Sequence, residues 1–290
     1  MLVDTHAHLN FNAYRDDADE VIRRSLANDV WMINVGSQYE TSKRAVEIAE
    51  KYEKGVLAAV GLHPMHLETG LVKIKNDSEE IQIKTKEEEF NYEKYKELAR
   101  SPKVVAIGET GLDYYYRPKT KVKIQEFKEK QKKAFLKQLD LAKELNLAVI
   151  FHCRVAHQDL IQTIQQSNNP TIRGVIHSFV GTKEQLQEYL KMGFYIGFNG
   201  IIFKKIEGID FEENIKIAPL EKILLETDCP YLTPLPAVAS AEASAKPLTR
   251  NEPLYVKYIA EKVAEIKKID YQKLSEITTE NARNLFKITA

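Results

Sequence analysis

His6 and His8 stand two residues apart where the first apolar run, Leu2–Thr5, gives out. Strand side chains alternate between faces, so a His-x-His pair aims two imidazoles at one point. Other ionisable residues fall in matching places. Glu109 ends the run Val104–Gly108, His152 ends Leu147–Phe151, His177 ends Gly174–Ile176, and Asp228 follows Ile223–Leu225 in ILLETD. His63 ends Val56–Gly61, so five of the seven histidines stand at the C-terminal ends of strand-like runs. Each piece alone has a plain reading: an exposed or satisfied His-x-His pair, a lone His177, a solvated turn at Asp228. Gathered together they would be costly, because an isolated buried charge costs several kcal/mol even after relaxation. Divalent cations supply the compensation. Imidazole with carboxylate suits Zn, Mn or Fe-type ions, and a carboxylate shared between two ions also admits Mg. Such an ion lowers the pKa of its bound water from about 15.7 toward about 7, which gives a nucleophile at neutral pH.

For these residues to meet, the runs must be neighbours. Two further apolar, β-branched runs, Val30–Val35 and Phe194–Phe198, bring the number of candidate strands to eight. They read as near-continuous hydrophobic stretches, as strands buried on both faces do. Helix-forming stretches lie between them. Ser37–Glu40 and Thr182–Gln185 fit capping boxes, and Phe127, Ala134, Leu141 and Leu145 share one side of another stretch. Alternating strand and helix implies parallel pairing through right-handed crossovers. The expectation is an α/β fold, a closed (β/α)8 TIM barrel in a single domain over residues 1–290, with an open doubly wound sheet as the runner-up. In a barrel every strand's C-terminal end opens on one face, the face that carries active sites. Residues 70–89, dense in charge, and 235–249, rich in Ala, Ser and Pro, read as surface insertions shaping the mouth, and 251–286 as two helices.

A chain of 290 residues with 43% hydrophobic and 29% charged content is globular, not disordered. Lys+Arg and Asp+Glu both number 42, so no global basic field draws in nucleic acid. A polyanionic substrate would be grasped by ions and a few local cations, which favours single-stranded ends over long duplex tracts. Two cysteines make no disulfide framework, so a reducing, cytoplasmic setting is expected. The N-terminus lacks the pattern of a signal peptide, and no apolar run is long enough to span a bilayer. Secreted small scaffold, membrane protein and fibrous protein are excluded, and no protein partner can be inferred. No dinucleotide fingerprint, P-loop or nucleophile elbow offers competing chemistry.

Several residues have secondary readings. His66, past the HP turn, and His157, at a helix start, read as surface residues. Cys153 and Cys229 read as small buried apolar groups. Arg154 shares a strand face with His152 and either binds a substrate phosphate oxygen or pairs with a barrel carboxylate. His63 either donates to a phosphate or braces its loop. Glu226 is expected to pair inside the barrel with Arg250. Tyr114–Tyr116 either stack on a base or pack the loop.

The blocks LVDTHAHLN, GLHP, KVVAIGETGLDYYY, FHCR, GVIHSF with GFYIGFNG, ETDCPYLTP and TTENARNLF occur in this order. In that order, over nearly the whole chain, they resemble the TatD family of metal-dependent deoxyribonucleases, within the amidohydrolase superfamily. The resemblance implies a (β/α)8 barrel cutting DNA phosphodiesters, often from the 3′ end. It implies two divalent metal ions (Mg, Mn or Zn): one on His6, His8, Glu109 and Asp228, the second on Glu109, His152 and His177, with Glu109 bridging. Asp228 is then the candidate general base and Glu109 the shared catalytic carboxylate, with Arg154 and His63 toward substrate. Val155 replaces a frequent Asp, Ala148 a frequent Pro, and HSFVG differs from the commoner HCFSG; none removes a ligand. The same metal kit could serve another ester or an amide, on a small molecule or aminoacyl-tRNA. A non-catalytic scaffold is the third alternative.

Overall fold

The computed structural model describes residues 1–288 except 69, 77, 78, 86, 116, 119, 168 and 235–249, and only the backbone over 70–85. The strands in chain order are β1 (Leu2–Ala7), β2 (Val30–Val35), β3 (Val56–Val60), β4 (Gly70–Asn76), β5 (Glu79–Thr85), β6 (Val104–Asp113), β7 (Ala148–Arg154), β8 (Gly174–Ile176), β9 (Tyr195–Phe198) and β10 (Ile223–Leu225). All but β4 and β5 join one eight-stranded sheet in the order β1-β2-β3-β6-β7-β8-β9-β10. Its pairings are parallel throughout, as the eight apolar runs predict.

The sheet curls until its edges meet. Asp228 N–H donates to the His6 carbonyl at 2.8 Å, His8 N–H to the Cys229 carbonyl at 2.9 Å, and Ala7 bridges Cys229. The seam of this nearly closed barrel therefore runs between two segments that carry candidate ligands. Beneath, Asp4 ties the strands together, accepting from Thr227 N–H at 2.8 Å and Thr227 Oγ1–H at 2.6 Å.

Inward-facing Val3, Ile33, Val35, Ile150, Val175 and Leu224 fill the barrel, and Leu285 and Phe286 pack against the same cluster. Outward-facing residues meet the helices in a second, larger cluster. Those helices are α1 (Ala18–Ala27), α2 (Tyr39–Ala49), α3 (Tyr92–Leu98), α4 (Lys121–Leu145), α5 (His157–Gln166), α6 (Lys183–Lys191), α7 (Phe211–Ile217), α8 (Val256–Lys267) and α9 (Tyr271–Phe286). The expected two-helix tail is α8 and α9. At α6 the predicted box forms, Thr182 and Gln185 each accepting from the other's backbone. At α2 it does not fall on Ser37 and Glu40: Thr41 Oγ1 accepts from Ser37 and Gln38 N–H instead, so the start lies one residue later.

Within the charged stretch 70–89, β4 and β5 pair as an antiparallel ribbon. The insertion expected over 235–249 lies outside the described residues. No helix among the described residues is long and apolar enough to cross a membrane.

Candidate metal centre

Two irregularities in strand register aim the site. Asp4 lies opposite Met32 but Ala7 opposite Asn34, so β1 carries one extra residue there. The inward set thereby passes from Val3 to His6 and His8. In β6, Ile107 lies opposite Val149 and Thr110 opposite Phe151; this extra residue, which follows another between Val104 and Ala106, turns Glu109 inward. Bulges beside active sites serve this purpose. Regular alternation suffices for His152 on β7 and for His177 beyond β8, whereas Asp228, beyond β10, sits in left-handed backbone at φ +57°.

The six predicted residues meet. Glu109 stands at the centre: Oε2 is 3.5 Å from His6 Nε2, while Oε1 is 2.6 Å from His152 Nδ1 and 3.7 Å from His177 Nε2. Asp228 Oδ1 lies 3.3 Å from His8 Nε2 and 3.9 Å from His6 Nε2, and Oδ2 lies 3.8 Å from His177 Nε2. His6 stacks on His177 with ring centroids 3.5 Å apart.

Outer partners fix the ring orientations. His8 Nδ1–H donates to the Val35 carbonyl at 2.8 Å, which leaves the Nε2 lone pair facing Asp228. His152 Nε2–H donates to Asp113 Oδ2 at 3.1 Å, and Nδ1 faces Glu109. His177 Nδ1 is 3.0 Å from Glu226 Oε1, a charge contact whose angle falls short of a formed hydrogen bond. Such outer carboxylates orient metal-ligating histidines and raise their basicity. Glu226 fits because β9 has glycine opposite it: a Cβ on Gly197 would stand 2.6 Å from the carboxylate oxygens. Gly111, at φ +153°, similarly lets β6 approach β7, since a Cβ there would meet the His152 carbonyl at 2.0 Å.

His63 is placed differently. Its Nδ1 accepts from Met65 N–H at 3.0 Å, so the neutral ring carries its proton on Nε2, 3.7 Å from Glu109 Oε1. Burial holds this ring neutral, its pKa pushed down to about 3. His63, Asp113 and His152 could group around an ion. The Met65 contact instead makes His63 a hydrogen-bond donor.

The electrostatics fit cations. Burial opposes ionisation of Glu109, but His63, His177 and His152 outweigh it and hold the carboxyl well below the usual range. Asp228 is likewise lowered, against burial, by His177, His8 and His6. Burial and the adjacent His177 push His6 below the ordinary imidazole range. His152 and His177 go the other way despite burial. Glu109 and Asp113 draw the former up to about 9, and Glu226, Glu109 and Asp228 the latter to about 10. Carboxylate charge in excess thus pulls protons onto two imidazoles. Neither Glu109 nor Asp228 pairs with a lysine or arginine among the described residues. His6 Nδ1 is buried without a partner. Buried carboxylates, imidazole lone pairs and no fixed cation fit divalent metal ions.

Three expectations need correction. His66 and His157 are buried, not on the surface. His66 Nε2 meets Ser37 Oγ at 3.3 Å, while His157 lies between Tyr189 Oη at 3.0 Å and the Val180 carbonyl at 2.9 Å. Glu226 does pair inside the barrel, but with His177; Arg250 pairs with Asp17. Tyr114 is buried and donates to Asp159 at 3.0 Å, so it packs, whereas Tyr115 is exposed and Tyr116 lies outside the described residues. Cys153 and Cys229 are free and buried, as expected. Sequence reasoning passed over Asp113. Alternation from Glu109 through Gly111 puts Asp113 on the same face of its strand, and that signal was available.

The family described as TatD related DNase matches residues 3–287. The chain belongs to this family. A metal-dependent hydrolase of Bacillus subtilis (strain 168), YabD, is 39% identical over 99% of this chain and 100% of its own length. A TatD protein of Escherichia fergusonii, named a 3′-5′ ssDNA/RNA exonuclease, is 32% identical over 99% of this chain and 100% of its own length. The crystal structure of YJJV, a TatD homolog from Escherichia coli K12, superposes with a TM-score of 0.79. It is 26% identical and covers 99% of this chain and 98% of its own. The chain is therefore a TatD-family metal-dependent hydrolase on a TIM-barrel fold.

Proposed function

We propose that this TatD-family hydrolase, acting as one domain over residues 1–290, cleaves phosphodiester bonds at the 3′ ends of single-stranded DNA. The TatD relative's exonuclease name supports this substrate. The observation that carries the reading is the division of Glu109: one oxygen faces His6 and the other faces His152 and His177. A carboxylate so placed is suited to bridge two divalent cations (Mg, Mn or Zn), with His6, His8 and Asp228 on one side and His152 and His177 on the other. When bound, such ions supply an acidified water and polarise the phosphoryl oxygen. The protein does the rest. Asp228, held ionised by His177, His8 and His6, takes the proton of the attacking water at Oδ. Glu109 keeps the two halves of the site in register. His63 presents Nε2–H to a non-bridging phosphate oxygen, and Arg154 at the rim meets the substrate beyond it. Two free, buried cysteines accord with a cytoplasmic setting.

A 5′-labelled single-stranded oligonucleotide incubated with the Mg- or Mn-loaded protein tests this reading. A ladder shortening from the 3′ end is expected. An intact oligonucleotide, alongside turnover of a simple carboxylic ester or amide, would move the reaction to another bond.

A further inference from the structure

At the rim beside His152, the Arg154 guanidinium carbon sits 3.7 Å above the centre of the Tyr115 ring. Tyr115 is 54% exposed and Arg154 is exposed as well, although each has at least one other interaction. The pair is anchored from below. Tyr114 N–H donates to the Arg154 carbonyl at 2.9 Å, and Tyr115 N–H donates to Asp113 Oδ1 at 2.9 Å. The other oxygen of Asp113 holds His152 at 3.1 Å. One carboxylate therefore fixes both a candidate metal ligand and the backbone of the exposed tyrosine. Arg154 lies two residues beyond His152 on the same face of β7, about 6–7 Å farther toward the mouth.

A planar guanidinium stacked on an aromatic ring, exposed and braced by the site, has the chemistry of a nucleobase platform. Bases stack on aromatic side chains and on arginine planes, and do so with little regard to sequence. The geometry points to Tyr115 and Arg154 as the subsite for the nucleobase next to the scissile phosphate. This rests on the nuclease reading and refines it: Arg154 acts chiefly through its plane rather than as a phosphate clamp. The platform takes an unpaired base, since a base within a duplex has its faces covered by its neighbours. It thus gives a physical reason for the single-stranded end.

The test is binding of labelled single-stranded hexanucleotides whose last linkage is a phosphorothioate, measured by fluorescence anisotropy on the metal-loaded protein. Three ligands are compared: one with all bases, one abasic at the terminal nucleotide and one abasic at the penultimate. Loss of one base–aromatic stack weakens binding about tenfold, so one abasic ligand is expected to bind about tenfold more weakly than the full one. In Tyr115→Ala and Arg154→Ala that difference falls to within about twofold. Tyr115→Phe keeps it, and Arg154→Lys, with charge but no plane, loses it. A wild-type protein indifferent to both abasic ligands, or a Tyr115→Ala protein that retains the difference, overturns the platform. Retention by Arg154→Lys overturns the role of the guanidinium plane. Cleavage of the unmodified hexanucleotide is scored separately. Its absence in the wild type defeats the nuclease reading, while the binding ratios still decide the platform.

Discussion

Asp113 and Glu226 illustrate how much of a metal centre lies outside the atoms that face the ion. Each carboxylate sits at the far nitrogen of an inward imidazole, Asp113 at His152 and Glu226 at His177. Removing such a partner costs about 10–100-fold in metal affinity or activity. Asp113→Asn and Glu226→Gln are accordingly expected to weaken metal binding by that factor, read by isothermal titration calorimetry. Affinity equal to wild type in both would show that the imidazoles need no outer support. Loss of Glu109 acts at the centre itself. Glu109→Ala is predicted to lower kcat by about a thousandfold or more, several kcal/mol of transition-state stabilisation, while circular dichroism still shows a folded barrel. Near-wild-type turnover would remove Glu109 from the chemistry.

Elements deliver these residues, and here a strained turn offers a sharper test than the strands. Val155, directly after β7, has φ +57° and is 65% exposed. A β-branched residue in the left-handed region costs about 1–3 kcal/mol, and its exposed side chain recovers little by burial. Val155→Gly is therefore expected to stabilise the protein by about 1 kcal/mol, seen as a higher urea midpoint at unchanged slope; a lower midpoint would contradict the strain argument. The strands themselves were legible because both faces are buried, which leaves β2, β6 and β7 opening on near-continuous apolar runs. The extra residues in β1 and β6 were not, since a bulge has no composition of its own. The His-x-His pair was aimed correctly from alternation within it, while the shift after Asp4 that turns it inward became visible only in the pairing. His66 and His157 escaped for a related reason. Their places past the HP turn and at a helix start suggest solvent, but Ser37, Tyr189 and Val180, which cover or bond them, come from 23 to 32 residues away. Gly197 was legible as a glycine and not as the space that Glu226 fills.

At the scale of the whole molecule, stability and the site are joined, because the barrel seam closes through His6, His8, Asp228 and Cys229. A ligand that binds only the folded state adds about 2.7 kcal/mol at a hundred times its Kd. Adding EDTA to the Mn-loaded protein should then lower Tm by several degrees, about 2–4 °C per kcal/mol for chains of this order. An unchanged Tm would mean the cations contribute nothing to the fold. Acid should weaken the metal-free protein through buried His66, whose pKa burial lowers to about 4. Its folded value lies below the unfolded value near 6.5, so the stabilising contribution is complete above about 6.5 and is lost as pH falls toward 4. Between pH 6.5 and 5 the loss is about 1–2 kcal/mol, and His66→Asn should flatten that part of the urea-unfolding profile; an equally steep profile would rule His66 out as the cause. The most direct test of the centre is anomalous diffraction from crystals grown with Mn. Two peaks are predicted, one among His6, His8 and Asp228 and one beside His152 and His177, with Glu109 between them. A single ion on His63, Asp113 and His152, or none near Glu109, would contradict the account.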